Sequence, residues 1–155
     1  MVASLRVDRL ALALLLVYLL VLAILTLRPV GADVDSNVRV NLKPFATILP
    51  ALRHGPGSFV FSNLVGNVLA FVPLGLLLPV AARRLPWPFV LLAGAALSIA
   101  IEATQYVLSI NVGHGYRAAD VDDVIVNVTG TVVGLALYGL LQLTATLVRR
   151  VRSAG

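Results

Sequence analysis

The sequence predicts an all-α fold, a polytopic membrane protein whose helices form a four-helix transmembrane bundle. Of the 155 residues, 59% are hydrophobic and only 12% are charged. The mean hydropathy of +0.97 is far above that of a water-soluble domain. Four runs are almost free of charge, and each is long enough to cross the hydrocarbon core of a bilayer as a helix. They cover residues 10–27, 59–82, 88–110 and 124–148, and we expect them to form a single transmembrane domain within residues 1–155.

The first run, residues 10–27, lies between Arg9 and Arg28. About 18 residues rise about 27 Å as an α-helix, which is just enough to span the hydrocarbon. A cleaved signal peptide is the alternative interpretation, because Arg6 and Arg9 give the chain a basic start. The apolar stretch is longer than the hydrophobic region of most signal peptides, so we favour a retained membrane span.

Prolines mark the second and third runs. Pro86 and Pro88 flank Trp87, and proline suits the first turn of a helix because an N–H there would have no helical partner. Trp87 is expected at the membrane interface, where tryptophan is enriched. Pro73 and Pro79 lie inside the second run, where each removes a backbone hydrogen bond. We therefore expect a kink or an early end in that helix.

The distribution of basic residues indicates the orientation of the chain. Four spans place both termini on one side of the membrane, and that side holds seven of the twelve Lys and Arg residues. These seven are Arg6, Arg9, Arg83, Arg84, Arg149, Arg150 and Arg152. Because basic residues collect on the cytoplasmic side, we expect a multi-pass protein of the cell membrane with cytoplasmic termini. The loops 28–58 and 111–123 would then face outward.

Composition also limits the classes of function. The net charge of +5 does not indicate nucleic-acid binding, because the basic residues are scattered between apolar runs and form no basic face. The chain has no cysteine, which excludes disulfides, thiolate metal sites and a cysteine nucleophile. His54 and His114 stand alone beside glycines, and we expect them to be solvated loop residues. We expect no cofactor and no nucleic-acid partner, and the lipid bilayer is the first expected partner.

Polar residues inside the third and second runs form stripes that begin at the same side of the membrane. Ser98, Glu102 and Gln105 follow one another at spacings of four and three, so they share one face of the third span. Asn63 and Asn67 are four residues apart and share one face of the second span. Acyl chains offer no hydrogen-bond partners, so both stripes are expected to face the interior of the bundle.

A similar stripe of Asp120, Asp123 and Asn127 leads into the fourth run. We expect all three stripes to meet in a shared polar pocket near the outward surface. Gly130 and Gly134 continue the fourth stripe at the spacing of the GxxxG motif, which allows a neighbouring helix to approach closely. In the third span, Gly94 and Ser98 repeat this spacing, and they too are expected to serve packing.

A series of short motifs runs in order through residues 38–137. They are Asn41-Leu42-Lys43-Pro44-Phe45, then Asn63 and Asn67 followed by Phe71-Val72-Pro73-Leu74-Gly75, then Ser98, Glu102 and Gln105, and finally Arg117-Ala118-Ala119-Asp120-Val121-Asp122-Asp123 with Asn127 and Gly130. In order and spacing these motifs resemble the VanZ-like family. The resemblance implies a bacterial four-span membrane protein of a family named for a member associated with low-level resistance to the glycopeptide teicoplanin. Lys43 stands where the family more often has a hydrophobic residue.

Glu102 is the one charged residue within the four runs, and two roles are open for it. It could pair with Arg117 and lock the loop between spans three and four onto the bundle. Alternatively, Glu102 and Asp123 are candidate catalytic residues, because removal from water favours the protonated carboxyl form that a general acid needs. Glu102, Asp120 and Asp123 could also gather a hard divalent cation, although their spacing does not point to one and we predict no metal site.

The beginning of the fourth run allows a purely structural reading as well. Asp120 suits the N-cap of that helix, while Asp122 and Asp123 favour its positive end. Capping accounts for one or two of these acids but hardly for all three. Arg117 could hold a phosphate of an anionic lipid or of a lipid-linked envelope precursor. The predicted ligand-binding residues are therefore Arg117, Asp120, Asn127, Gln105, Asn63, Asn67 and Asn41.

We therefore expect a membrane protein whose outward-facing polar pocket binds or modifies an anionic component of the cell envelope, with a link to glycopeptide resistance. One alternative is a structural or partner-binding membrane module without catalysis. Another is a small transporter, although the sequence has no inverted repeat and the inner halves of the spans are almost wholly apolar.

Overall fold

The computed structural model describes residues 2–28, 40–83, 85–112 and 119–154. These residues form five α-helices and no β-strand. In chain order the helices are α1 (Val2–Leu27), α2 (Ile48–His54), α3 (Phe59–Ala81), α4 (Trp87–Val112) and α5 (Val121–Ala154). The helices α1, α3, α4 and α5 are long and apolar enough to cross a membrane. The predicted all-α class with four candidate spans is therefore confirmed.

The last helix is longer than the apolar run that predicted it. α5 has 34 residues, which corresponds to about 51 Å and exceeds the hydrocarbon thickness of about 30 Å. Its C-terminal turns carry Arg149, Arg150 and Arg152. Because charged side chains favour water or lipid headgroups, we place this end of α5 outside the hydrocarbon.

Apolar packing joins α1, α3 and α4 on one side of the bundle. The Tyr18 hydroxyl of α1 donates a hydrogen bond to the Ala70 carbonyl of α3 at 2.8 Å. The buried cluster consists of Leu15, Leu22, Phe71, Leu74 and Ile101. Many other large apolar side chains of the long helices are exposed, as expected for surfaces that face acyl chains.

Glycines bring α3 and α5 into close contact. Gly130 lies against the Val68 carbonyl, and Gly134 lies against the Val72 carbonyl and the backbone of Gly75. A Cβ atom at either α5 glycine would overlap α3. The packing role predicted from the GxxxG spacing is therefore confirmed, and the α3–α5 pair forms the centre of the bundle.

Two sequence expectations about the helices need correction. We expected a kink or an early end in α3; the helix continues through Pro73 and Pro79 to Ala81, so the early end does not occur, and the kink stays a prediction. Within the first loop the chain forms α2, which the sequence analysis did not predict. This helix has only seven residues and contains Pro50, so it offers no long apolar period. It ends at Gly55, whose φ of +68° favours glycine.

Each of the four long helices has polar residues near one of its ends, and these four ends lie together at one end of the bundle. There the Gln105 side-chain amide of α4 donates to the Thr26 carbonyl of α1 at 2.8 Å, so the C-terminal parts of these helices lie together. The backbone of Asn41 forms a parallel bridge with Asp120 at the start of α5. We call this end, which also carries α2, the loop end.

Candidate functional site

A cavity of about 710 Å³ lies at the loop end between α1, α3, α4 and α5. Six of the nine residues named above as candidate site residues line it. They are Asn63, Asn67, Glu102, Gln105, Asp123 and Asn127. The cavity therefore brings together polar side chains from three helices at a common level, while their role in binding or catalysis stays a prediction.

The end of α1 and the residue that follows it contribute polar groups that the sequence analysis did not select. Thr26 and Arg28 line the same cavity, and Ser62 adds a hydroxyl from α3. α1 has no polar stripe inside its apolar run, so no periodic signal distinguished these residues. Arg28 is notable because it supplies a cation to a wall that also carries the carboxylates of Glu102 and Asp123. The apolar part of the wall includes Leu22, Leu25, Ala70, Phe71 and Ile101.

Glu102 is buried, and its carboxylate connects α4 with the start of α5. Its Oε2 atom accepts the backbone N–H of Asp120 at 2.8 Å. The predicted partner, Arg117, lies outside the described residues. Glu102 therefore combines a structural hydrogen bond with a position on the cavity wall.

The amides of Gln105 and Asn127 use their nitrogens to link helices. The Gln105 nitrogen is engaged by Thr26 of α1, and the Asn127 nitrogen donates to the Ser98 hydroxyl at 2.9 Å. The Oδ1 atom of Asn127 is buried and has no hydrogen-bond partner within the described parts of the chain. An unpaired buried acceptor is costly, so the neighbourhood of Asn127 is not optimised for packing alone.

Asp122 is almost completely buried, with 1% of its surface exposed, and it holds the backbone at residues 45–48 in place. One carboxylate oxygen accepts the backbone N–H of Phe45 at 2.6 Å. The other accepts the N–H groups of Thr47 at 2.6 Å and Ile48 at 3.1 Å. Thr47 is the N-cap residue of α2 but makes no side-chain cap. The carboxylate of Asp122 thus replaces the local cap from the start of another helix.

Asp120 and Asn41 belong to the same network as Asp122. The Asn41 side-chain nitrogen donates to Asp120 Oδ1 at 2.9 Å, and the Thr47 hydroxyl donates to Oδ2 at 2.7 Å. Asp120 Oδ1 also accepts the N–H of Asp122 at 2.8 Å, which confirms the predicted N-cap. These contacts hold residues 41–48, which we call the anchored loop, against the start of α5.

The sequence analysis gave Asp122 a role only at its own helix terminus and did not select Thr47. The sequence feature that could have indicated this wider role of Asp122 is the number of acidic residues, because capping one helix hardly needs three carboxylates in four residues. The structure assigns one of them to the N-terminus of α2 and another to Asn41 and Thr47.

The alternative of a shared divalent cation does not match the observed arrangement. Across the described ranges, no three His, Asp or Glu side chains are grouped so that they could hold one metal ion. Both carboxylate oxygens of Asp120 are directed at donors of the chain itself, and Glu102 meets the backbone of Asp120.

Comparison with known proteins extends the match of motifs to most of the chain. Residues 15–142 match the family model described as VanZ/LLP1. Protein VanZ of Enterococcus faecium is 37% identical over 84 residues, which are 52% of this chain and 46% of that protein. The chain therefore covers about half the length of this relative. No solved structure matches the chain. With four candidate spans and a family match from α1 into α5, this multi-pass membrane protein belongs to the VanZ/LLP1 family.

Proposed function

We propose that the cavity binds the polar part of an anionic envelope component, and that this binding underlies a VanZ-like effect on the response to glycopeptides such as teicoplanin. The observation that carries the proposal is the position of eight polar side chains and Arg28 around one cavity among apolar helices. Polar groups within a bilayer are costly unless they meet other polar groups or water, and those that line the cavity could also meet a polar ligand. The apolar part of the wall suits the chain of a lipid or of a lipid-linked precursor.

The residues divide into those that contact the ligand and those that position the site. Arg28 and Arg117 would attract the anion, and Arg suits phosphate because its guanidinium donates two parallel hydrogen bonds. Glu102 and Asp123 would orient the ligand or exchange a proton with it. Asn63, Asn67, Gln105 and Asn127 would complete the hydrogen bonding. Asn41 and Asp120 would act indirectly, because they fix the anchored loop beside the cavity.

The orientation belongs to the same proposal. With cytoplasmic termini, the loop end faces outward and the cavity opens in the outer leaflet. A site there would meet envelope components that are built or displayed outside the cell membrane.

Glu102→Gln is the sharpest test, because glutamine keeps an acceptor for the Asp120 N–H and removes the charge. The variant is expressed at equal membrane level in a glycopeptide-sensitive bacterium, and the inhibitory concentration of teicoplanin is measured. We expect Glu102→Gln and Arg28→Gln to abolish any protection given by the parent chain. Ile99→Leu, an exposed change on the same helix as Glu102, is the matched control. Full protection by Glu102→Gln would contradict the proposal.

A structural module is the second candidate, and the hydrogen bonds of Gln105 and Asn127 to other helices favour it. The two candidate functions predict different relations between the loss of protection and the loss of thermal stability in the variants. If the polar residues only hold the helices together, variants will lose protection in proportion to their loss of melting temperature in detergent. If the cavity binds a ligand, Glu102→Gln will lose protection while its melting temperature stays near that of the parent.

A further inference from the structure

The anchored loop and α2 expose an apolar surface that the bundle does not cover. Leu42 is 76% exposed, Phe45 52% and Leu52 55%, and Leu49 is also exposed. Phe45, Leu49 and Leu52 follow at spacings of four and three, and the Leu49 N–H donates to the Phe45 carbonyl at 3.2 Å. Leu49 and Leu52 therefore lie on one side of α2, and Phe45 adds a further exposed apolar side chain in the turn that leads into it.

The opposite side of the stretch from Phe45 to Leu52 is fixed to the protein. Ala51 is fully buried, and the backbone N–H groups of Phe45, Thr47 and Ile48 are held by Asp122. The stretch therefore cannot rotate to bury its leucines against the bundle without breaking these hydrogen bonds. Its apolar side is held outward by the fold.

The level of the stretch along the bundle is given by its neighbours. Thr47 and Ile48 share a small pocket with Val60, Leu64 and Val126. Leu64 lies about 8 Å along α3 from Phe59, at a rise of 1.5 Å per residue, and Phe59 begins a candidate membrane span. Val60 is the second residue of that span, so Thr47 and Ile48 lie between the level at which the span enters the hydrocarbon and about 8 Å further in.

The charges of the stretch match a lipid surface. Residues 40–58 contain Lys43 and Arg53 and no Asp or Glu. Both cations are exposed, whereas Asp120 and Asp122 are turned toward the anchored loop from the inside. Apolar side chains flanked by Lys and Arg are typical of helices that lie in the membrane interface, with the cations at the phosphates.

We infer that residues 42–53 form an interfacial segment, which inserts Phe45, Leu49 and Leu52 into the outer part of the acyl layer and places Lys43 and Arg53 at lipid phosphates. The segment is independent of any ligand in the cavity. The partner of this segment is a lipid surface. The fluorescence experiment distinguishes lipid contact from contact with a second copy of the protein.

Tryptophan fluorescence tests the depth of the segment in the full chain. The sequence contains one tryptophan, so Trp87→Phe provides a background without tryptophan emission. Phe45→Trp and Leu52→Trp are each introduced there and reconstituted in phosphatidylcholine vesicles that contain lipids brominated at known acyl positions. We expect blue-shifted emission, quenching by bromines near the top of the acyl chain, and little quenching by acrylamide. His54→Trp, exposed and off the apolar side, should show the reverse.

Two outcomes would overturn the inference. Quenching of Phe45→Trp and Leu52→Trp by acrylamide but not by bromine would place the segment in water. Protection from both quenchers would place another protein copy over it. If the tryptophan variants do not fold, Leu52→Cys replaces them, because the chain has no other cysteine. A water-soluble maleimide should then react more slowly with Leu52→Cys than with His54→Cys, and equal rates would also overturn the inference.

The cations are tested by adding phosphatidylglycerol to the vesicles. For Leu52→Trp, added anionic lipid should increase quenching by the upper bromines, since Lys43 and Arg53 draw the segment toward phosphates. Combining Lys43→Gln with Arg53→Gln should remove this dependence. An unchanged dependence in the double variant would refute the assigned role of the two cations.

Discussion

The buried carboxylate of Asp122 accepts the backbone N–H of Phe45 at 2.6 Å, although the two residues are 77 positions apart in the chain. Phe45 has a φ of +67°, a left-handed conformation that is unfavourable for a residue with a side chain. The same carboxylate holds the first N–H groups of α2. The shape of the anchored loop therefore depends on the first turn of α5.

Asp122→Asn should destabilise the protein strongly. An amide has only one acceptor oxygen, so its NH₂ group would face an N–H of either Phe45 or Thr47. Loss of a charged, buried acceptor is expected to cost about 2–4 kcal/mol, and unfolding in mixed micelles of increasing SDS content would measure it. Asp123→Asn makes the same change one residue later at a half-buried site and should cost less. Equal costs for the two variants would show that Asp122 has no special anchoring role.

Gly134→Ala should weaken the contact between α3 and α5. The added methyl group would collide with the Val72 carbonyl and the Gly75 backbone, and such overpacking typically costs about 1–3 kcal/mol. Gly139 is the matched comparison, because a Cβ atom there meets nothing within 4 Å. Gly139→Ala should be neutral or stabilising by up to about 1 kcal/mol, since alanine favours helix more than glycine. A melting temperature that falls equally in both variants would contradict the packing described here.

Tyr18→Phe should separate the hydrogen bond between α1 and α3 from their apolar contact. The change removes only the hydroxyl that donates to the Ala70 carbonyl, and hydrogen bonds between membrane helices contribute about 1 kcal/mol or less. We expect a small fall in melting temperature in detergent. Tyr106→Phe, on the exposed side of α4, should leave it unchanged.

Single cysteines can establish the orientation, because the chain contains none. His54→Cys at the loop end and Ser153→Cys near the end of α5 are both exposed positions. With cytoplasmic termini, a membrane-impermeant maleimide should label His54→Cys on intact cells and Ser153→Cys only after permeabilisation. The reverse pattern would place the cavity on the cytoplasmic side and remove the outer-leaflet part of the proposed function.

The sequence predicted the spans and much of the polar arrangement for one physical reason. A helix that crosses lipid must hide its polar side chains, so regular spacings such as Ser98, Glu102 and Gln105 specify which face turns inward. The anchored loop was not predicted, because no comparable rule relates the spacing of its residues to its structure. Its geometry depends on hydrogen bonds between Asp122 and backbone atoms far away in sequence. The residue type does not indicate which backbone N–H groups will make such bonds. Arg28 was not predicted as a site residue for a related reason. It follows the apolar run, and a basic residue in that position is expected merely to flank a membrane span.

The pairing of Ser98 with Asn127 has a consequence for how the chain is made. α4 leaves the ribosome before α5, so the Ser98 hydroxyl and the Glu102 carboxylate reach the bilayer before their partners from the final helix exist. Until α5 is inserted, these two groups lack the hydrogen-bond partners described above. Insertion of α5 supplies those partners and places its glycines against α3, so these contacts form only after the fourth long helix has entered the membrane.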